Sequence, residues 1–98
     1  VTLYPASRSR GKTTYLLDQI NQAVLIDGLS VAVIFPAWSH RVNTPGNPYT
    51  EHTWKHARGR IYDHIYVDNA DLFQDDPAWL CASVAPGVPV TMTYTPRP

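Results

Sequence analysis

Apolar and polar residues alternate along this chain in blocks that read as strand, helix, strand. The first, "VTLY" (1–4), is a short apolar run that predicts a strand. Over residues 12–27 the apolar positions Leu16, Ile20, Ala23 and Val24 recur at helical spacing on one face, with Asp27 closing the same stripe. Gly28 then supplies the stop signal. "SVAVIF" (30–35) is nearly all apolar and rich in β-branched residues, the pattern of a parallel strand buried on both faces, and Pro36 ends it. "DHIYVD" (63–68) predicts a third strand and "VPVTMTY" (88–94) a fourth. Asp76-Pro77 has the form of an N-cap followed by proline at the first helical position, opening a helix to about Val84, and Ala85-Pro86-Gly87 closes it.

Residues 37–60 are the least regular. "NTPGNP" (43–48) is a dense turn signal, and "TEHTWKHARGR" (50–60) reads as one short helix. Strand and helix in alternation predict an α/β fold of about four mostly parallel strands with helices on the faces, three layers in all. The length of 98 residues fits a single domain, 1–98, with no repeat and no linker.

The link between the first strand and the first helix carries the chemistry. "PASRSRGKTT" (5–14) ends in Gly11-Lys12-Thr13 and lies between a strand and a helix, the context in which a phosphate-binding loop works. Successive backbone N–H groups there can wrap a phosphate at the positive end of a helix dipole. The expected nucleotide-binding set is Ala6, Ser7, Ser9, Arg10, Gly11, Lys12, Thr13 and Thr14. Lys12 would reach the β- and γ-phosphates, and Thr13 would bind Mg²⁺ through its hydroxyl. Ala6 stands where glycine is usual, but that position needs only a small residue.

Asp68, at the end of the third strand, is the expected carboxylate on the Mg²⁺ side. Asn69 follows it, where many ATPases have a glutamate that polarises the attacking water. An amide can orient a water but cannot take its proton. Asp71 is the nearest acidic alternative. Slow hydrolysis, hydrolysis through another group, and binding without turnover all stay open. ATP is expected before GTP, since no Asn/Thr-Lys-x-Asp guanine-reading segment is present.

These motifs resemble the ATPase core of phage terminase large subunits, the DNA-packaging motors of the helicase-like class. "SRSRGKTT" resembles their P-loop, "IYVDNADLF" their metal-binding strand, and "TMTYTPRP" (91–98) their coupling segment. The three together span almost the whole chain. The resemblance implies a cis role for Arg8 in stabilising charge on the transferred phosphoryl group, and a coupling role for Thr95 and Pro96. The catalytic set would be Lys12, Arg8, Asp68 and Asn69, with Thr13 and Asp68 on the metal. Arg8 and Arg10 can equally be read as solvent-facing cations. A second similarity, in layout, is to thymidine kinases, but a single cysteine cannot furnish their zinc-bearing segment. Both families imply a strand order 1-4-3-2 with the P-loop strand at an edge, and hence a second copy or a partner chain at that edge. A phage origin would place the chain in a host cytoplasm.

Composition adds little. Eight basic and eight acidic residues cancel, so bulk charge selects no partner. One cysteine, no apolar run of membrane-spanning length and no signal-like start suit a cytoplasmic protein without membrane contact. Within residues 38–60, however, Trp38, His40, Arg41, Tyr49, His52, Trp54, Lys55, His56, Arg58 and Arg60 face a single acid, Glu51. Interleaved cations and aromatics could hold a nucleic acid; the other reading is a solvated helix with Trp54 in the core. His52 and His56 have the spacing of a helical metal pair, but no third ligand is evident.

Overall fold

The computed structural model describes the backbone of residues 2–5 and 12–94, with side chains at residue 3 and over 15–94. Five strands form one sheet: β1 (Thr2–Pro5), β2 (Val31–Phe35), β3 (Asn47–Thr50), β4 (His64–Val67) and β5 (Val90–Tyr94). Their order is β1-β5-β4-β2-β3 and every neighbouring pair is parallel. The segments expected at 1–4, 30–35, 63–68 and 88–94 correspond to β1, β2, β4 and β5.

The strand β3 corrects the expectation of about four strands. It lies in the stretch that reads as turn and helix. Gly46, at a φ of 103°, turns the chain so tightly that a Cβ there would lie 2.7 Å from Val31 Cγ2. That approach lets residues 47–50 pair with Ala32 to Phe35. The helix expected over 50–60 reduces to a turn and a single 3-10 segment, Trp54–Ala57. Thr50 and Thr53 close the turn: the Thr50 N–H donates to Thr53 Oγ1 at 2.8 Å, and the Thr53 N–H to Thr50 Oγ1 at 3.2 Å. His52 therefore precedes the helical segment that holds His56, and the two share no α-helical face.

Helix α1 (Lys12–Asn21) is also shorter than its apolar stripe suggests. It widens into a π-turn at Gln22–Ile26, where the Asp27 N–H bonds Gln22 O at 3.0 Å. Gly28, at φ 69°, then reverses the chain, and the Leu29 N–H returns to Ala23 O at 2.8 Å. Helix α2 (Pro77–Val84) begins as expected, with Asp76 Oδ1 accepting from the Ala78 N–H at 3.0 Å.

The two faces of the sheet differ. Leu16, Ile20 and Ala23 of α1 pack on Val31, Val33, Phe35 and Tyr66. On the other face Ala32, Ile34, Ile65, Val67, Val90 and Met92 meet Tyr49, Trp54, Ala57, Tyr62 and Cys81. Trp54 is 0 % exposed and its indole N–H donates to Leu80 O at 3.0 Å, tying the 3-10 segment to α2. Burial, then the charge of Asp76, pushes the Cys81 thiol up to about 12, so it acts as an apolar core group.

Truncating Trp54 removes both the packing and the indole bond. Trp54→Ala should cost about 3–5 kcal/mol of stability, read as a lower midpoint in urea unfolding. Trp54→Phe should recover most of the packing part and lose the indole bond, with Leu80 O still accepting from the Ser83 hydroxyl at 2.8 Å.

Candidate functional site at the carboxyl end of the sheet

In an open parallel α/β sheet, ligands bind beyond the carboxyl ends of the strands. β1 ends at Pro5 and α1 begins at Lys12. Ala6, Ser7, Arg8, Ser9, Arg10 and Gly11 lie outside the described residues, as do Thr95 and Pro96. Lys12, Thr13 and Thr14 form the first turn of α1 as backbone; their side chains lie outside the described set.

The described part of the site is built on β4 and β5. Alternation along a strand sends Ile65 and Val67 to the α2 face and His64, Tyr66 and Asp68 to the α1 face. On β5, Thr91 and Thr93 share that α1 face. Asp68 is held by the sheet through its N–H to Ile34 O at 3.0 Å. Its side chain is 1 % exposed. Thr93 Oγ1 donates to Asp68 Oδ1 at 2.6 Å, and Thr93 is itself buried. Asn69 Nδ2 donates to Asp68 Oδ2 at 3.3 Å, and the Asn69 N–H to Thr93 Oγ1 at 3.1 Å.

This knot is possible because Asn69 adopts φ 56° and ψ 52°. It is the single non-glycine residue at positive φ among the described residues. Asparagine tolerates the left-handed region better than most residues. The Asn69 side-chain amide is turned onto Asp68. Asp71 is exposed on the following 3-10 turn, Ala70–Leu72.

Further down the same face, His64 Nε2 and Thr91 Oγ1 share a hydrogen bond of 2.8 Å, and the imidazole stacks on Tyr66 at 4.4 Å between centroids. Burial lowers the His64 pKa from its ordinary 6.5. Burial, then the charges of Tyr15 and Asp27, raises that of Tyr66. Both groups stay neutral near pH 7 and serve as packing.

The basic stretch 38–60 does not present all its aromatics. Tyr49 and Trp54 are core residues, with rings edge-on at 5.2 Å. Burial, then the Tyr62 hydrogen bond, pushes the Tyr49 hydroxyl up to about 12. Trp38 remains, 50 % exposed on the 3-10 turn Trp38–His40 after β2, with the Arg41 guanidinium 5.4 Å from its ring centroid. His40, His52, Lys55, His56, Arg58 and Arg60 are exposed. No group of three or more potential metal ligands occurs among the described residues, and no helix among them is long and apolar enough to cross a membrane.

Two contributors escaped the sequence reading. Thr93 could have been found from the Thr-x-Thr alternation of "VTMTY", which gives β5 a polar face beside Asp68. Glu51 shows in the sequence as a lone acid among cations; nothing there marks it as buried. No protein-family model matches the chain, and comparison with curated proteins gives no match.

Two outcomes test this geometry. Asn69→Gly keeps the left-handed backbone but removes the Nδ2 bond to Asp68 Oδ2 and should cost about 1 kcal/mol, whereas Asn69→Glu, which also sets a second carboxylate beside Asp68, should cost about 2–3 kcal/mol in denaturant unfolding. For His64, the unfolded chain takes up a proton before the folded one as pH falls. Its contribution is full above 6.5 and is lost as pH drops through that value toward the lower folded pKa. His64→Gln should flatten the stability–pH curve in that window, measured by thermal unfolding across pH 5 to 7.5.

Proposed function

We propose that this chain binds a nucleoside triphosphate with Mg²⁺ at the carboxyl end of its sheet, ATP in preference to GTP, with slow or partner-stimulated hydrolysis. The observation that carries the reading is Asp68: a carboxylate almost wholly buried at the end of a central parallel strand, gripped by Thr93 and Asn69. Its hard oxygens suit Mg²⁺, and each has taken one donor and retains a lone pair for a metal-bound water. Thr13 and Asp68 would hold the ion, which supplies charge neutralisation at the β- and γ-phosphates when bound.

The chain's own groups would do the rest. The loop of Ala6, Ser7, Ser9, Arg10 and Gly11, with Thr14, would cradle the phosphates through backbone N–H groups. Lys12 would bind the β- and γ-phosphates. Arg8 would stabilise charge on the transferred group. Asn69 offers no base, so turnover would be weak in the chain by itself. The resemblance to terminase ATPase cores belongs to this same reading. Among the described residues β1 pairs only with β5, so its outer edge is where a second copy or partner strand would add.

A second reading has its own observation. With the Asn69 amide turned onto Asp68 and Trp38 stacked beneath Arg41, the chain could be a non-hydrolysing module that holds single-stranded nucleic acid on Trp38, Arg41 and the cations of 52–60.

Calorimetric titration of ATP with Mg²⁺ into wild type and Lys12→Ala, with phosphate release followed on the same samples, separates the two. Saturable binding in the wild type, weakened at least about tenfold in Lys12→Ala, supports the nucleotide reading; a tenfold change corresponds to about 1.4 kcal/mol. Absence of binding at millimolar ATP would overturn it. Binding without phosphate release, together with affinity for a fluorescent oligonucleotide that Trp38→Ala abolishes, would favour the second.

A further inference from the structure

Glu51 is the single acid of the basic stretch 38–60. It follows edge strand β3, and its N–H donates to Phe35 O at 3.0 Å, continuing the pairing with β2. Its carboxylate points inward and is only 7 % exposed. Oε1 accepts the Gln74 N–H at 2.9 Å and Oε2 the Asp75 N–H at 2.8 Å. One side chain thus grips two successive backbone amides in the link between β4 and α2.

That link begins at Asp68. Residues 69–75 are fastened at one end by the Asn69 bonds to Thr93 and Asp68 and at the other by Glu51. Between the two points lie the 3-10 turn Ala70–Leu72 and the half-buried Phe73, which packs on the core. The span is short and has two fixed ends, so releasing one end changes the freedom of the other. Two strand spacings separate β3 from β4, about 10 Å. Both Glu51 oxygens are already engaged by the Gln74 and Asp75 N–H groups. Any influence on Asp68 passes through the segment.

We propose that Glu51 is a positioning residue that fixes the Asp68–Asn69 corner from two strands away, and so sets how well that corner receives a Mg²⁺-bound nucleotide. The second half rests on the nucleotide reading given above. The grip also connects the turn at 52–58, which carries the buried Trp54 and Ala57, to the candidate site through one side chain. A charge-assisted pair of bonds is stronger than neutral ones, which suits a tether. Replacing the carboxylate by an amide keeps its shape but turns an NH₂ toward a backbone N–H.

The test uses ¹⁵N-labelled wild type, Glu51→Gln and Gln74→Pro. The last removes one donor while leaving Glu51 in place, and Phe73, at ψ 146°, already has the backbone that a residue before proline adopts. Amide exchange is read without ligand at Asn69 and Asp75 in all three proteins and at Gln74 in the wild type and Glu51→Gln, and Mg²⁺-dependent ATP affinity is read on the same proteins. Asn69 exchange should rise about tenfold in the variants, and half-saturating Mg²⁺ should rise several-fold. Unchanged Asn69 exchange, with protection lost only at Asp75 or Gln74, would overturn the proposal: the grip would be a local tether. A faster Asn69 with unaltered ATP affinity would overturn it too. A wild type that fails to bind ATP overturns the nucleotide reading alone, and the Asn69 response still decides whether Glu51 fixes the corner.

Discussion

Every neighbouring pair of strands in this sheet is parallel, and the rest of the structure follows from that constraint. A parallel pair cannot be closed by a tight turn, so each connection must travel back across a face, and both faces must be covered. One face receives α1. The other is covered, among the described residues, by α2, the segment from Thr50 to Asp63, and Ala70 and Phe73 of the β4–α2 link. Trp54 makes so short a cover adequate. It fills the space that a longer helix would otherwise occupy, stands against Tyr49 and Tyr62, and places its one polar atom on a carbonyl of α2. The irregular backbone of 50–60 is the consequence of delivering that indole to the core.

The same constraint creates the polar strip under α1. The helix sets its apolar stripe on β2 and Tyr66, so the remaining side chains of β4 and β5 on that face, with Asp68 just beyond β4, lie there without an apolar role. His64 pairs with Thr91, and Asp68 with Thr93. Among the described residues no buried side-chain nitrogen or oxygen lacks a partner. Such a strip holds its register firmly, because sliding β5 by one residue would exchange the threonines for Val90 and Met92.

The regular elements were legible in the sequence because their signals are local. β2 is a run of β-branched residues, α2 opens on Asp76-Pro77, and Gly28 ends the first helical stretch. β3 was hidden because "NPYT" pairs only by virtue of a glycine turn that presses against Val31, a contact between residues far apart in sequence. The helix expected at 50–60 failed for a related reason: the chain there turns to seat Trp54 against Tyr49, Tyr62 and Leu80 O, contacts made across the fold rather than within the segment. Asp68 was readable as a strand-terminal acid. That Thr93 and Asn69 would close on it depends on which strand lies beside β4 and on a left-handed backbone at residue 69. Neither is a property of the local sequence.

The cost of keeping Asp68 bears on what the site is for. A carboxylate buried to this degree is expensive, and an apolar pair of similar size in place of Asp68 and Thr93 would be at least as stable. Stability therefore gives no reason for the pair. Its position gives one: Asp68 lies at the carboxyl end of a parallel strand, two strands from the one that leads into Gly11-Lys12-Thr13, and its hydroxyl partner fixes its rotamer. Asn69 favours fixed geometry at that point, since it adds a donor to the carboxylate and bonds Thr93 through its own N–H. On the nucleotide reading such an arrangement suits holding a charged ligand in one orientation better than rapid turnover, and the proposed Glu51 grip at the far end of the same link would extend that rigidity to the edge of the sheet.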